Sequence, residues 1–101
     1  MLQPSKRTID TDYRMAKLDK LLERIRNNHK TVSFDDLETL LISYGFELVR
    51  SRGSHHIFRG IVAGRTAQLV IPFRRPHVKQ AYVKEVLALI SEIEGEDDTD
   101  G

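Results

Sequence analysis

The 101-residue chain contains no cysteine and no tryptophan, and only three prolines. Without thiols it forms no disulfide, offers no thiolate site for zinc and gives no sign of an oxidising compartment. No apolar run approaches the roughly 18 residues that suggest a membrane span, so none is expected. The opening stretch MLQPSKRTIDTDYRMAK lacks the continuous apolar segment of a secretory signal, and the expected location is cytoplasmic. The most informative absence concerns charge. Between Leu48 and Lys84 there is no Asp or Glu, while Arg50, Arg52, Arg59, Arg65, Arg74, Arg75, Lys79 and Lys84 all fall there, with three of the four histidines. A two-metal nuclease centre needs clustered carboxylates, which this stretch does not have.

The formal net charge of +1 conceals that asymmetry, because residues 92–101 (EIEGEDDTDG) carry six acidic groups and no basic one. So one-sided a basic stretch suggests a polyanionic partner, either phosphates or an acidic protein surface. A hydrophobic content of 40% and a charged content of 31% suit one soluble globular domain with a single core.

Residues 1–12 are polar and unpatterned and are expected to be unstructured. The domain is expected over 13–94, with an N-terminal helix and loop (13–32), a core (33–94) and an acidic flexible tail (95–101). Leu18, Leu21, Leu22 and Ile25 repeat at the spacing of one helix face. Ser33 stands as an N-cap, Leu37, Leu40, Leu41 and Tyr44 repeat in the same way, and Gly45 sits where a helix-terminating glycine belongs. FELVRSR (46–52), HHIFRGIV (55–62) and TAQLVIPF (66–73) read as strands joined by short turns. Ala67, Leu69, Ile71 and Phe73 share one face of the last, and Pro72 marks that strand as an edge or near its end. Gly53 and Gly60 read as turn or strand-end glycines, since no phosphate-loop pattern follows them. Pro76 then opens a final helix whose stripe is Val83, Val86, Leu87 and Ile90. The expected fold is α+β, in the order α-α-β-β-β-α, with helices covering one face of a three-stranded antiparallel sheet.

His55 and His56 are neighbours on a strand, so they point to opposite faces and cannot act as a bidentate metal pair. No metal or other cofactor is expected. Periodicity leaves the faces open: with Ile57 inward, His56 and Phe58 share the open face; with Phe58 inward, His56 is buried with it. An exposed His56 beside Phe58 and flanked by Arg50, Arg52 and Arg59 would suit RNA, through base stacking, phosphate contacts and an imidazole able to exchange a proton near pH ~6.5. His77, with Arg74, Arg75 and Lys79, offers a phosphate site at the start of the last helix or simply a solvated first turn. His29 is read as a surface residue.

SFDDLETLLISYGFELVRSRGSHHIFRG (33–60) and LVIPFRRPHVKQAYVKEVLALI (69–90) together resemble the HicA toxin family of bacterial type II toxin–antitoxin systems. The resemblance spans about residues 33–93. It rests on Gly45-Phe46, the Gly53-Ser54-His55-His56 turn and strand, and the Ile71-Pro72 strand end. It implies a double-stranded-RNA-binding-domain-like fold and a ribosome-independent endoribonuclease acting on mRNA, neutralised by a HicB-like antitoxin. Carried onto this chain, the catalytic residue is His56, presented by Gly53 and Ser54 on the open face, with Phe58 exposed and Ile57 buried. The expected RNA contacts are Arg50, Arg52, Ser54, His55, Phe58, Arg59, Arg74, Arg75, His77 and Lys79. One histidine acting as general acid or base implies a slow, metal-independent enzyme. A non-catalytic RNA-binding or antitoxin-binding module is the alternative. Residues 1–32 and the longer hairpin at 59–66 depart from minimal members. The extra helix is expected to pack on the core, to contact the antitoxin or to reshape the RNA face.

Overall fold

A computed structural model describes residues 16–98, with side chains to residue 95. The segment 1–12, the first expected helical residues 13–15 and the tail end 99–101 lie outside the described residues. A first helix, α1, occupies 16–27 and sinks Leu22 and Ile25 into the core. The added N-terminal helix is therefore part of the packed body. Helix α2 spans Phe34–Ser43, and the Ser33 hydroxyl accepts from the Asp36 amide at its start. At its other end Gly45 takes φ 93°, its N–H bonds the Ile42 carbonyl, and the Phe46 N–H bonds that of Leu41. This pair of bonds is a Schellman closure, and it delivers the next side chain, Phe46, back onto the core.

Strands β1 (Glu47–Arg52), β2 (His55–Val62) and β3 (Arg65–Pro72) form one antiparallel sheet in the order β1-β2-β3. Both turns have two residues. Gly53 alone takes positive φ (59°) in the first, the type II′ pattern, whereas Ala63 (52°) and Gly64 (78°) both do so in the second, the type I′ pattern. A bulge at Val49 shifts the register of β1 against β2. The inward face of the sheet carries Phe58, Val62, Leu69 and Ile71, all buried with residues of the three helices. Phe58 is 0% exposed, which reverses the expectation that it faces solvent with Ile57 inside. Ile57, directly opposite Val70 and Arg50, lies on the other, helix-free face.

Gly60 is not at a strand end but inside β2, opposite Ala67. A Cβ there would meet the Phe46 ring at 2.7–2.9 Å, so the glycine makes room for the aromatic ring that the Schellman closure places. The last helix, α3, starts at Gln80 rather than at Pro76 and runs to Asp98. Residues 73–79 stay irregular because Val78 is drawn into the core and its N–H bonds the Val32 carbonyl. The helix passes Gly95, where the flexible tail was expected. Glu94 anchors its last turns, accepting from the Tyr44 hydroxyl at 2.8 Å and pairing with Arg26 at 2.9 Å. Burial first, and then the Glu94 carboxylate, pushes the Tyr44 phenol up to about 12, so it donates to Glu94 throughout the neutral range. These contacts complete an α+β body, an α-β-β-β-α core of double-stranded-RNA-binding-domain-like architecture with α1 added to its helical layer. Among the described residues no helix is long and apolar enough to cross a membrane.

The Phe46–Gly60 contact has a direct test. Gly60→Ala is expected to destabilise the fold by about 1–3 kcal/mol, the range for overpacking a filled core, read as a lower urea midpoint with unchanged slope.

Candidate nucleic-acid site

Because Phe58 faces inward, His56 faces the helical side too. It sits two residues from the start of the sheet's buried centre, at the open rim where strand β2 begins, and it is half-buried. Its ring lies 4.7 Å from that of Phe34, the first residue of α2, and 6.1 Å from that of Phe73, which follows β3. Phe34 and Phe73 meet edge to face at 5.1 Å, and the Arg75 guanidinium lies 5.4 Å over the Phe73 ring. Imidazole, two phenyl rings and a guanidinium thus form a continuous stack at one end of the molecule. Such contacts contribute roughly 0.5–1.5 kcal/mol each, enough to orient a partly exposed imidazole without enclosing it.

The first hairpin turn supplies the orienting partner. The Ser54 carbonyl accepts the Phe73 N–H at 2.6 Å and lies 3.2 Å from Nδ1 of His56. A carbonyl only accepts, so this contact favours the tautomer protonated at Nδ1, and among the described residues no hydrogen bond engages Nε2. The Gly53-Ser54 turn therefore both starts the strand and sets the tautomer. Beside the ring stack, Ser33, Phe34, Asp35, Phe73, Arg74, Arg75 and Pro76 line an open cleft of about 330 Å³. The positive end of the α2 dipole adds to the two guanidiniums there. Lys79 shares a smaller cavity with Phe73 and Arg74.

The residues expected at the site divide into two groups. His56, Ser54, Arg74, Arg75 and Lys79 come to this rim. His77 does not open a helix, since α3 begins three residues later, and it sits half-buried in the connecting segment. Arg52 pairs with His55, Arg50 with Ile57, and Arg59 with Gln68; strand alternation puts all of them on the face opposite His56. They do not flank the imidazole, contrary to expectation, and Phe58 is unavailable for base stacking. Phe34 and Phe73 wall the site; in the sequence Phe34 stands out only as following the Ser33 cap, and Phe73 only as sharing a strand face with Ala67, Leu69 and Ile71. No sequence signal marks their meeting, which depends on how α2 packs against the end of β3. Among the described residues no three His, Asp or Glu side chains come together as a metal site, and no polar or charged side chain is buried.

Fold and rim define a small α+β domain with an imidazole and a cationic cleft held at one end. Comparison with known proteins makes this specific. The family model described as the HicA toxin of bacterial toxin–antitoxin matches residues 34–90, more than half of the chain, and the chain belongs to that family. It is accordingly the toxin of a toxin–antitoxin pair, with an antitoxin as its partner. The search of curated proteins and the search of solved structures returned no match.

The tautomer can be measured. Above the pH at which the ring loses its charge, long-range ¹H–¹⁵N NMR is expected to show His56 protonated at Nδ1 and bare at Nε2. A ring protonated at Nε2 would contradict the role given to Ser54.

Proposed function

We propose that this toxin is an endoribonuclease that cleaves mRNA at the rim, with His56 as its proton-transfer residue and with no metal. The observation that carries the reading is the His56 ring, seated on Phe34 with Nδ1 engaged by the Ser54 carbonyl, at the edge of the Arg74–Arg75 cleft. A neutral imidazole so held keeps Nε2 as its basic nitrogen, the atom that would meet a ribose 2′-hydroxyl.

In the reaction, His56 Nε2 takes the 2′-hydroxyl proton as O2′ attacks the adjacent phosphorus. The P–O5′ bond breaks, and O5′ leaves with a proton delivered by the imidazolium or by water. The products are a 2′,3′-cyclic phosphate and a 5′-hydroxyl end, and the protons balance. Charge builds on the non-bridging oxygens in the pentacoordinate transition state, where Arg74 and Arg75 offset it. The part-exposed rings of His56 and Phe73 at the rim suit a single-stranded segment with a splayed base. This assignment replaces Arg50, Arg52 and Arg59, which the strand register carries to the other face. The antitoxin is proposed to be HicB-like.

General acid–base catalysis contributes about 10²–10⁴-fold. His56→Ala is therefore expected to lower the cleavage rate by that factor while RNA affinity holds, with EDTA having no effect. The variant is expected to stay folded at the assay temperature, with a melting temperature lowered by the lost ring contacts. Arg75→Ala is expected to weaken RNA binding and to reduce its salt slope by about one. Undiminished cleavage by purified His56→Ala, or loss of cleavage on chelation, would overturn the scheme.

A further inference from the structure

The helix-free face of the sheet has no part in the chemistry above, yet it is neither a solvated polar face nor a neutral one. Five large hydrophobic side chains are exposed among the described residues, and Val49 (38%), Ile61 (62%) and Val70 (40%) belong to this face. Half-buried Ile57 lies between them. Around that apolar centre stand Arg50, Arg52, His55 and Arg59, the last donating to the Gln68 amide oxygen at 3.2 Å. Val49, Arg50, Ile57, Arg59 and Gln68 line a shallow cavity of about 310 Å³. Glu47, at one corner, is the one acidic residue on the three strands.

An apolar centre with a cationic rim is the anatomy of a protein interface. RNA fits it less well. No Phe or Tyr among the described residues lies on this face, which leaves the His55 imidazole as its one ring for base stacking. Phosphates would engage the arginines but leave Ile61, Val70 and Val49 in water. A protein surface with carboxylates around an aliphatic or aromatic centre satisfies both features at once.

We propose that this face is where the antitoxin docks, presenting such an acidic-rimmed apolar surface. The inference rests on the family's antitoxin partner and on the reading of the opposite rim as the RNA site. It separates the two binding events: the toxin grips its partner on one side of the sheet and RNA at the rim of the other.

The test uses the full-length toxin and its cognate antitoxin, each purified separately, with a short RNA as the second ligand. Arg50→Glu/Arg59→Glu and, independently, Ile61→Asp are expected to weaken antitoxin binding by at least about 100-fold. RNA affinity and cleavage should change by less than about twofold. His56→Ala is expected to leave antitoxin affinity unchanged. If a charge reversal lowers the melting temperature, Arg50→Gln/Arg59→Gln makes the same comparison, with a loss of roughly tenfold expected. Unaltered antitoxin affinity in these variants would overturn the proposal, as would a selective loss of RNA binding, which would make the face an RNA track. Failure of His56→Ala to stop cleavage would sink the catalytic reading alone and leave this comparison standing.

Discussion

One side chain decides which way the second strand faces. Phe58 is wholly buried between the sheet and the helices, and burying a phenyl ring contributes roughly 1.5–3 kcal/mol over leaving it exposed. Since successive residues alternate, Phe58 inside means His56 inside and His55, Ile57 and Arg59 outside. A slip of one residue would exchange the two faces completely. The register with β1 and β3 then carries Arg50, Arg52, Gln68 and Val70 outward as well. The proposed division of labour in the molecule, with chemistry on one side and an apolar-basic surface on the other, follows from this placement.

His56 escapes enclosure because it lies at the end of β2, where the helical layer thins to the first turn of α2. Phe34 and Phe73 replace a full core around it with two aromatic walls, and the Ser54 carbonyl replaces the carboxylate that often orients a catalytic imidazole. The fold thereby holds a titratable ring in a fixed direction with a backbone carbonyl in place of a carboxylate partner, although Asp35 lines the neighbouring cleft with Arg74 and Arg75. The longer β2–β3 hairpin does not interfere. Its turn at Ala63-Gly64 lies seven residues along the strand from His56, roughly 23 Å away.

Much of the architecture was legible in the sequence. Ser33 and Gly45 bracket α2 as their capping chemistry dictates, the Gly53-Ser54 and Ala63-Gly64 turns separate the strands, and Pro72 ends an edge strand. The acid-free stretch 48–84 announced a cationic surface, though not that it divides between two faces. Strand parity was not legible in HHIFRGIV, because bulky apolar residues occur at both parities, Ile57 and Ile61 against Phe58 and Val62. Only the helices covering one face break that tie. The start of α3 was misplaced because Pro76 fits a first helical turn, whereas the tertiary bond between Val78 and Val32 holds the chain out of a helix until Gln80. Gly60 looked like punctuation because the ring that requires it, Phe46, arrives from another element.

RNA is proposed to meet the toxin at the rim around His56 and not on the helix-free face. Titrating the toxin with a 2′-O-methyl RNA, which binds but lacks the attacking hydroxyl, and following side-chain NMR signals tests it most directly. The ring signals of His56, Phe34 and Phe73 are expected to shift while the methyls of Ile57, Ile61 and Val70 stay in place. Shifts concentrated in those methyls, with the three rings unmoved, would contradict it.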